Sequence, residues 1–213
     1  MTDLPVFTAA DGIATLILHE IPARGEGYIL VRGVFGTLDG LLRECANFCR
    51  SAGAQKVYAG GEADFSDYPV FARLMERQLL LPQIPETGCT VEAVTEESAF
   101  RWAERYNERF AAVPSAQSCG PFEARRLAKQ GECFFVLEDG APAGLGRVRG
   151  SRLLALASLR PGAGERTLFA LARHCGLQKI DLTCAMENTR AMAFYDRLGF
   201  TRSPVTQRWY AVG

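Results

Sequence analysis

The sequence predicts an α/β (α+β) fold, and three features predict it. Near the carboxyl end, Ile180, Leu182, Cys184 and Met186 alternate with Asp181, Thr183 and Ala185 at the period of a strand. Directly after them, Ala191, Phe194, Tyr195 and Leu198 recur at i, i+3, i+4 and i+7, which places them on one face of a helix. Strand-like and helix-like stretches also alternate along the rest of the chain. That alternation restarts after LLPQIPETGC (residues 80–89), whose two prolines and glycine mark a linker between a first region, 1–85, and a longer one, 89–213.

In chain order, Val6-Phe7 and Ile13 to Leu18 flank Ala-Asp-Gly and read as a hairpin, and Tyr28 to Phe35 reads as a further β-rich run. Leu38, Leu41, Leu42, Cys45, Phe48 and Cys49 form the apolar stripe of a helix over 38–51, stopped by Gly53. A short strand over 56–59 ends at the break Gly60-Gly61, and the run from Val70 to Leu81 is expected to be a second helix. Past the linker, Val91 to Val94 reads as a strand. A helix with an apolar face of Phe100, Trp102, Ala103, Tyr106 and Phe110 follows, and then a second one over 122–129. Cys133 to Leu137 and Ala143 to Val148 flank Glu-Asp-Gly as a hairpin. Leu153 to Leu159 is almost wholly apolar and is expected to be covered on both faces. A glycine-rich turn, a helix over 165–175, the strand at Ile180, the helix opened by Asn188 and stopped by Gly199, and a terminal strand over 206–212 complete the series.

Composition narrows the function classes. With 213 residues and 48% hydrophobic content the chain can bury a core, and its formal charge of zero with dispersed Lys and Arg points away from nucleic acid and from acidic membranes. Seven cysteines without regular spacing, behind a start lacking a signal-peptide pattern, predict reduced thiols and a cytoplasmic location. No apolar run reaches spanning length, so no membrane partner is expected. With only His19 and His174 and no Cys-x-x-Cys, no metal site is expected either. Cys45 and Cys49, four apart on a helix, fit small buried residues far better than a redox pair.

The run Glu-Asn-Thr-Arg-Ala followed by Phe-Tyr-Asp-Arg-Leu-Gly-Phe, within residues 187–200, resembles the last conserved segment of the GNAT superfamily, the Gcn5-related N-acetyltransferases. The element order after the linker is similar to the whole GNAT fold: strand, two helices, three strands, helix, strand, helix, strand. The resemblance implies a mixed, mostly antiparallel sheet flanked by helices, and acetyl-CoA as co-substrate. It further implies that Asn188 opens a helix beside the pantetheine arm and that Tyr195 is the catalytic acid for the departing thiolate. The expected cofactor-binding set is the backbone of Leu156, Ala157, Ser158 and Leu159, the loop and helix start at Gly162, Ala163, Gly164, Glu165 and Arg166, and Asn188 and Tyr195. Region 1–85 resembles a truncated, chemically silent copy of the later half of the same fold.

The loop departs from the family pattern. The family usually carries Gln or Arg three residues before the first glycine of Gly-x-Gly, and here that position is Leu159, with Arg160 one residue later. Pro161 removes an N–H, and Glu165 adds negative charge where phosphates would approach, offset by Arg160 and Arg166. No general base stands out: Glu104, Glu108 and Glu123 fit solvated helix faces, and the direction of Asp181 is open. The expected function is therefore an acetyl-CoA-dependent N-acetyltransferase that acts by direct attack of a primary amine of a small molecule or peptide. A homodimer is left open. The alternative is a catalytically inactive GNAT scaffold that holds CoA or a regulatory partner.

Overall fold

The computed structural model describes residues 5–213; residues 1–4, where the expected first region begins, lie outside the described residues. β1 (Val6–Ala9) and β2 (Gly12–Ile17) form a hairpin, the short α1 (Ile21–Arg24) leads into β3 (Glu26–Val34), α2 (Leu38–Ser51) crosses to β4 (Lys56–Gly61), and β5 (Val70–Leu80) follows. Next come β6 (Thr90–Ala93), α3 (Ala99–Phe110), α4 (Pro121–Lys129), β7 (Cys133–Glu138) and β8 (Ala141–Arg149). The chain closes with β9 (Arg152–Ser158), α5 (Gly164–His174), β10 (Lys179–Ala185), α6 (Thr189–Arg197) and β11 (Thr201–Ala211). Two units result. One holds the residues up to Met75 with Ala185–Asn188 and Pro204–Gly213, and the other holds Glu76–Cys184 with Thr189–Ser203.

In the first unit the strand order is β1-β2-β3-β4-β11-β5, β5 entering through residues 70–75. β1, β2 and β3 are antiparallel neighbours, whereas β3 and β4 run parallel and are joined by α2 as a crossover. Leu41, Leu42, Cys45, Ala46 and Cys49 of α2 are buried against Ala14, Leu16, Ile29, Val31, Val57 and Ala59. Each leucine so buried contributes about 1.5–3 kcal/mol. The helix start is held by its own neighbours: Thr37 Oγ1 accepts the Gly40 N–H at 3.1 Å, and Asp11 Oδ1 accepts the Thr37 N–H at 2.8 Å. Gly40 is required there, because a Cβ would lie 1.9 Å from Asp11 Oδ2.

In the second unit the order is β5-β10-β9-β8-β7-β6, with β5 represented by residues 76–80. β6 through β9 form an antiparallel meander. Successive residues of β8 face opposite ways, and the sequence Gly144-Leu145-Gly146 uses this alternation. Leu145 packs with Trp102, Leu127, Phe135 and Ala157 beneath α3 and α4, and Trp102 Nε1 donates to Phe134 O at 3.2 Å. The two glycines face α5 and admit it closely: a Cβ at Gly144 would meet Thr167 at 2.2 Å, and one at Gly146 would meet Leu171 at 2.3 Å. Helices thus cover both faces of the meander.

The expected order after the linker, from β6 to β11, is present in full. Four expectations fail. The run from Val70 to Leu81 is not a helix but β5, an eleven-residue strand. Its good helix formers lose to tertiary pairing, because β11 in the first unit and β10 in the second offer its backbone a ladder that local propensity cannot anticipate. Gly60-Gly61 is not a break but the end of β4, and β11 starts at Thr201, before the expected 206. Finally, β9 is not covered throughout: its burial alternates, and Leu154 is 38% exposed.

Candidate functional site

The parallel neighbours β9 and β10 barely touch through their backbones. Their ladder consists of the single pair Asp181↔Arg152, with the Asp181 N–H donating to Ser151 O at 3.1 Å. β9 continues instead with β8, pairing through Ser158↔Gly144, and the next N–H, of Leu159, donates to Ala143 O at 2.7 Å. From Leu153 onward β9 therefore has no backbone partner on β10. Because peptide groups alternate along a strand and that of Leu159 points to β8, those of Leu156 and Ser158 point to the parted edge. The N–H of Ala157, by the same alternation, turns to β8, and Leu159 O accepts from Arg109 Nη2 at 3.1 Å.

The foot of the gap is tied by side chains. Arg152 reaches Thr183 Oγ1 at 3.0 Å and Glu76 at 2.8 Å, while Asp181 accepts from Gln78 at 2.9 Å and pairs with Lys179 at 3.1 Å. Burial pushes the Asp181 carboxyl upward, but hydrogen bonds from Gln78, Lys179 and Ser151 outweigh it and hold the group below its ordinary value. Asp181 is thus an ionised anchor, which answers the question of its direction.

Beyond β9, the turn reaches α5 through Gly162, whose φ of +78° lies in the left-handed region; a Cβ there would stand in open space, so conformation and not crowding calls for glycine. Ala163 O accepts the first helical bond, from the Thr167 N–H at 2.8 Å, and no side chain caps the helix. The N–H groups of Gly164, Glu165 and Arg166 are the orphan donors of the first turn. Gly164 abuts Phe194 of α6, a Cβ there coming within 3.4 Å of the ring. Glu165 pairs with Arg197 at 3.3 Å, and Arg166 pairs with Glu138 at 2.8 Å.

Tyr195 sits on α6, buried, with ring centroids 5.3 Å from Phe194 and 5.0 Å from Phe200. Burial pushes its phenol above the ordinary range; the neighbouring Cys184 of β10 acts in the same direction and Arg77 against it. The second unit holds both Leu156 to Arg166 and Tyr195, with Gly164 against Phe194, the residue before Tyr195, whereas Asn188 is grouped with the first unit, where its N–H donates to Ala185 O at 3.0 Å immediately before α6. Sequence reasoning missed Arg77 of β5 and Arg109 of α3, which reach this region from other elements and leave no local signal. The helix carboxylates are engaged on the surface: Glu108 with Arg105 and Glu123 with Arg126. Among the described residues no group of three or more His, Cys, Asp or Glu could hold a metal ion, and no helix is long and apolar enough to cross a membrane.

Residues 165–200, from α5 through β10 to the end of α6, match the profile of the Acetyltransferase (GNAT) family. No curated protein matches the chain by sequence. Among solved structures, a GCN5-related N-acetyltransferase from Sphaerobacter thermophilus is similar at a TM-score of 0.53 and 16% identity, over 94% of this chain and 75% of that one. The chain has the GNAT fold. A GCN5-related N-acetyltransferase from Kribbella flavida reaches a TM-score of 0.56 at 11% identity, over 96% of this chain and 58% of that one. A functionally unknown conserved protein from Staphylococcus epidermidis gives 0.55 at 10% identity, over 99% and 94%. The parted pair β9/β10, the uncapped start of α5 and the helix bearing Tyr195 all lie within or beside the matched GNAT segment.

Proposed function

We propose that the chain is an N-acetyltransferase that takes acetyl-CoA as co-substrate and acetylates a primary amine of a small molecule or peptide by direct attack. The observation that carries this reading is the single-pair ladder between β9 and β10, which leaves an edge of backbone donors and acceptors inside a folded unit. The peptide groups of Leu156 and Ser158 suit an extended, amide-bearing arm laid along that edge in the manner of an added strand. The orphan N–H groups of Gly164, Glu165 and Arg166, with the exposed Arg160 and with Arg109 beside the loop, suit a diphosphate. Those residues fit CoA, which would supply an activated acetyl thioester. Glu165 is partly neutralised by Arg197, so its charge weighs less against phosphates than the sequence suggests. Tyr195 is held as a neutral phenol well above neutral pH, the form needed to give a proton to a leaving thiolate. Tyr195 keeps the role that the resemblance implies.

The first unit is read as a silent counterpart of the second. Its crossover β3–α2–β4 has no parted edge, and its helix start is filled by Thr37 and Asp11.

Thermal melting tests the site directly: acetyl-CoA at about one hundred times its Kd should stabilise the protein by about 2.7 kcal/mol. No shift with any acyl-CoA overturns the reading. Where a shift is found, a panel of amines read out by released thiol reports turnover. Stabilisation with no turnover across that panel would favour the second reading, a scaffold that holds acyl-CoA, for which Leu159 in place of the family's Gln or Arg is the motivating observation.

A further inference from the structure

Arg77 of β5 has a side chain with no exposure at all, the largest buried cation among the described residues. Its donors are almost all spoken for. Nε donates to Thr201 O at 3.0 Å, Nη2 to Asp196 Oδ1 at 2.6 Å and to Phe200 O at 2.9 Å, and Nη1 to Met192 Sδ at 3.6 Å. Three of the four residues it grips are neighbours of Tyr195. Met192 shares the buried face of α6 at i−3, Asp196 is the next residue, and Phe200 donates its N–H to Tyr195 O at 3.0 Å while its ring packs on the phenol ring.

We propose that Arg77 is the positioning residue of the site, a cation contributed by β5 that clamps the end of α6 and so fixes the Tyr195 ring beside the parted edge. The proposal rests on the acetyl-transfer reading above. An apolar side chain of equal length would staple β5 to α6 with less desolvation, and buried ion pairs are often replaceable without loss of stability. A charge here has a second use. When the phenol O–H bond breaks and its proton passes to the leaving sulfur, Tyr195 Oη carries negative charge until solvent returns a proton, and Arg77 is the nearby buried cation that acts on that oxygen. Asp196, shared between Arg77 and Arg202, keeps the guanidinium aimed at the helix end.

The test combines 3-fluorotyrosine incorporated at position 195 with steady-state kinetics on Arg77→Met and Arg77→Lys. The parent should show one narrow fluorine resonance. Arg77→Met should shift or split it and lower kcat tenfold or more, with KM for acetyl-CoA changed less than twofold, and Arg77→Lys should recover part of both. Asp196→Asn, which leaves Arg77 in place, serves if Arg77→Met does not fold, and is expected to shift the resonance in the same direction by less. An unmoved resonance in the folded variants, or a loss of kcat that Lys does not rescue at all, overturns the proposal. A resonance that moves in the variants while the parent turns over no amine leaves the positioning intact and overturns the acetyl-transfer reading instead, so the two failures are distinguishable.

Discussion

The chain contains two β–α–β crossovers built from the same elements, and they end differently. In β3–α2–β4 the parallel strands are joined over six pairs, from Glu26↔Lys56 to Val31↔Gly61. In β9–α5–β10 they share the one pair Asp181↔Arg152 and then separate. The helix starts differ in parallel. α2 begins under the Thr37 hydroxyl and the Asp11 carboxylate, so the chain's own anion fills the position that a helix dipole favours. α5 begins behind Ala163 with no side-chain cap and leaves its first donors outward. Backbone groups must be satisfied by something. In the closed crossover the protein satisfies them itself, and in the parted one it leaves them to water or to a ligand.

The sharpest way to break this contrast is at Tyr195. Tyr195→Phe should lower kcat for acetyl transfer by about 10²-fold, the usual scale for a general acid, while acetyl-CoA still raises the melting temperature. Equal rates in the two proteins would confine Tyr195 to packing. Next comes the closed crossover. A Cβ at Gly60 would lie 2.6 Å from Arg208 O and 3.2 Å from the Trp209 ring, so Gly60→Val should cost about 1–3 kcal/mol in denaturant unfolding and leave acetyl-CoA affinity unchanged. A loss of affinity there would mean that the first unit is not silent. Gly162→Ala is the matched change in the parted crossover. Its Cβ meets nothing, so the stability loss should stay near 1–2 kcal/mol from the left-handed backbone alone, while the Kd for acetyl-CoA, read by calorimetry, rises several-fold.

The smallest effect belongs to Glu132, a buried carboxylate outside both crossovers that pairs with Arg147 and Arg149. Burial pushes its carboxyl up, but hydrogen bonds from Arg149 and Arg147 prevail and hold it below the ordinary 4.5. The folded state thus keeps it ionised where the unfolded chain takes up a proton. The stability it contributes is full above pH 4.5 and is lost as pH falls through the lower folded value. Glu132→Gln should flatten that acid limb in pH-dependent melts and leave ligand binding alone. An unchanged limb would assign the acid sensitivity to other carboxylates.

Much of this was legible along the chain. The stripe from Leu38 to Cys49 and the stretch from Asn188 to Phe200 declare themselves, because each helix buries a face whose period is written in consecutive residues. β5 was not legible. Val70 to Leu81 reads as a helix, and residues 70–80 became a strand because distant segments offered them hydrogen bonds. The position of Arg77 was hidden by the same error, since a residue misassigned to a helix cannot be placed against α6.

By itself, the sequence determined the element order from β6 to β11, the apolar faces of its helices, and the turn at Gly162, all of which follow from neighbours within a few residues. Tertiary structure alone decided that β3 and β4 close while β9 and β10 part, and that Arg77 holds the end of the helix carrying Tyr195. Those features depend on contacts between residues up to 124 positions apart, as in the Arg77 bond to Thr201, and no local period encodes a partner at that distance.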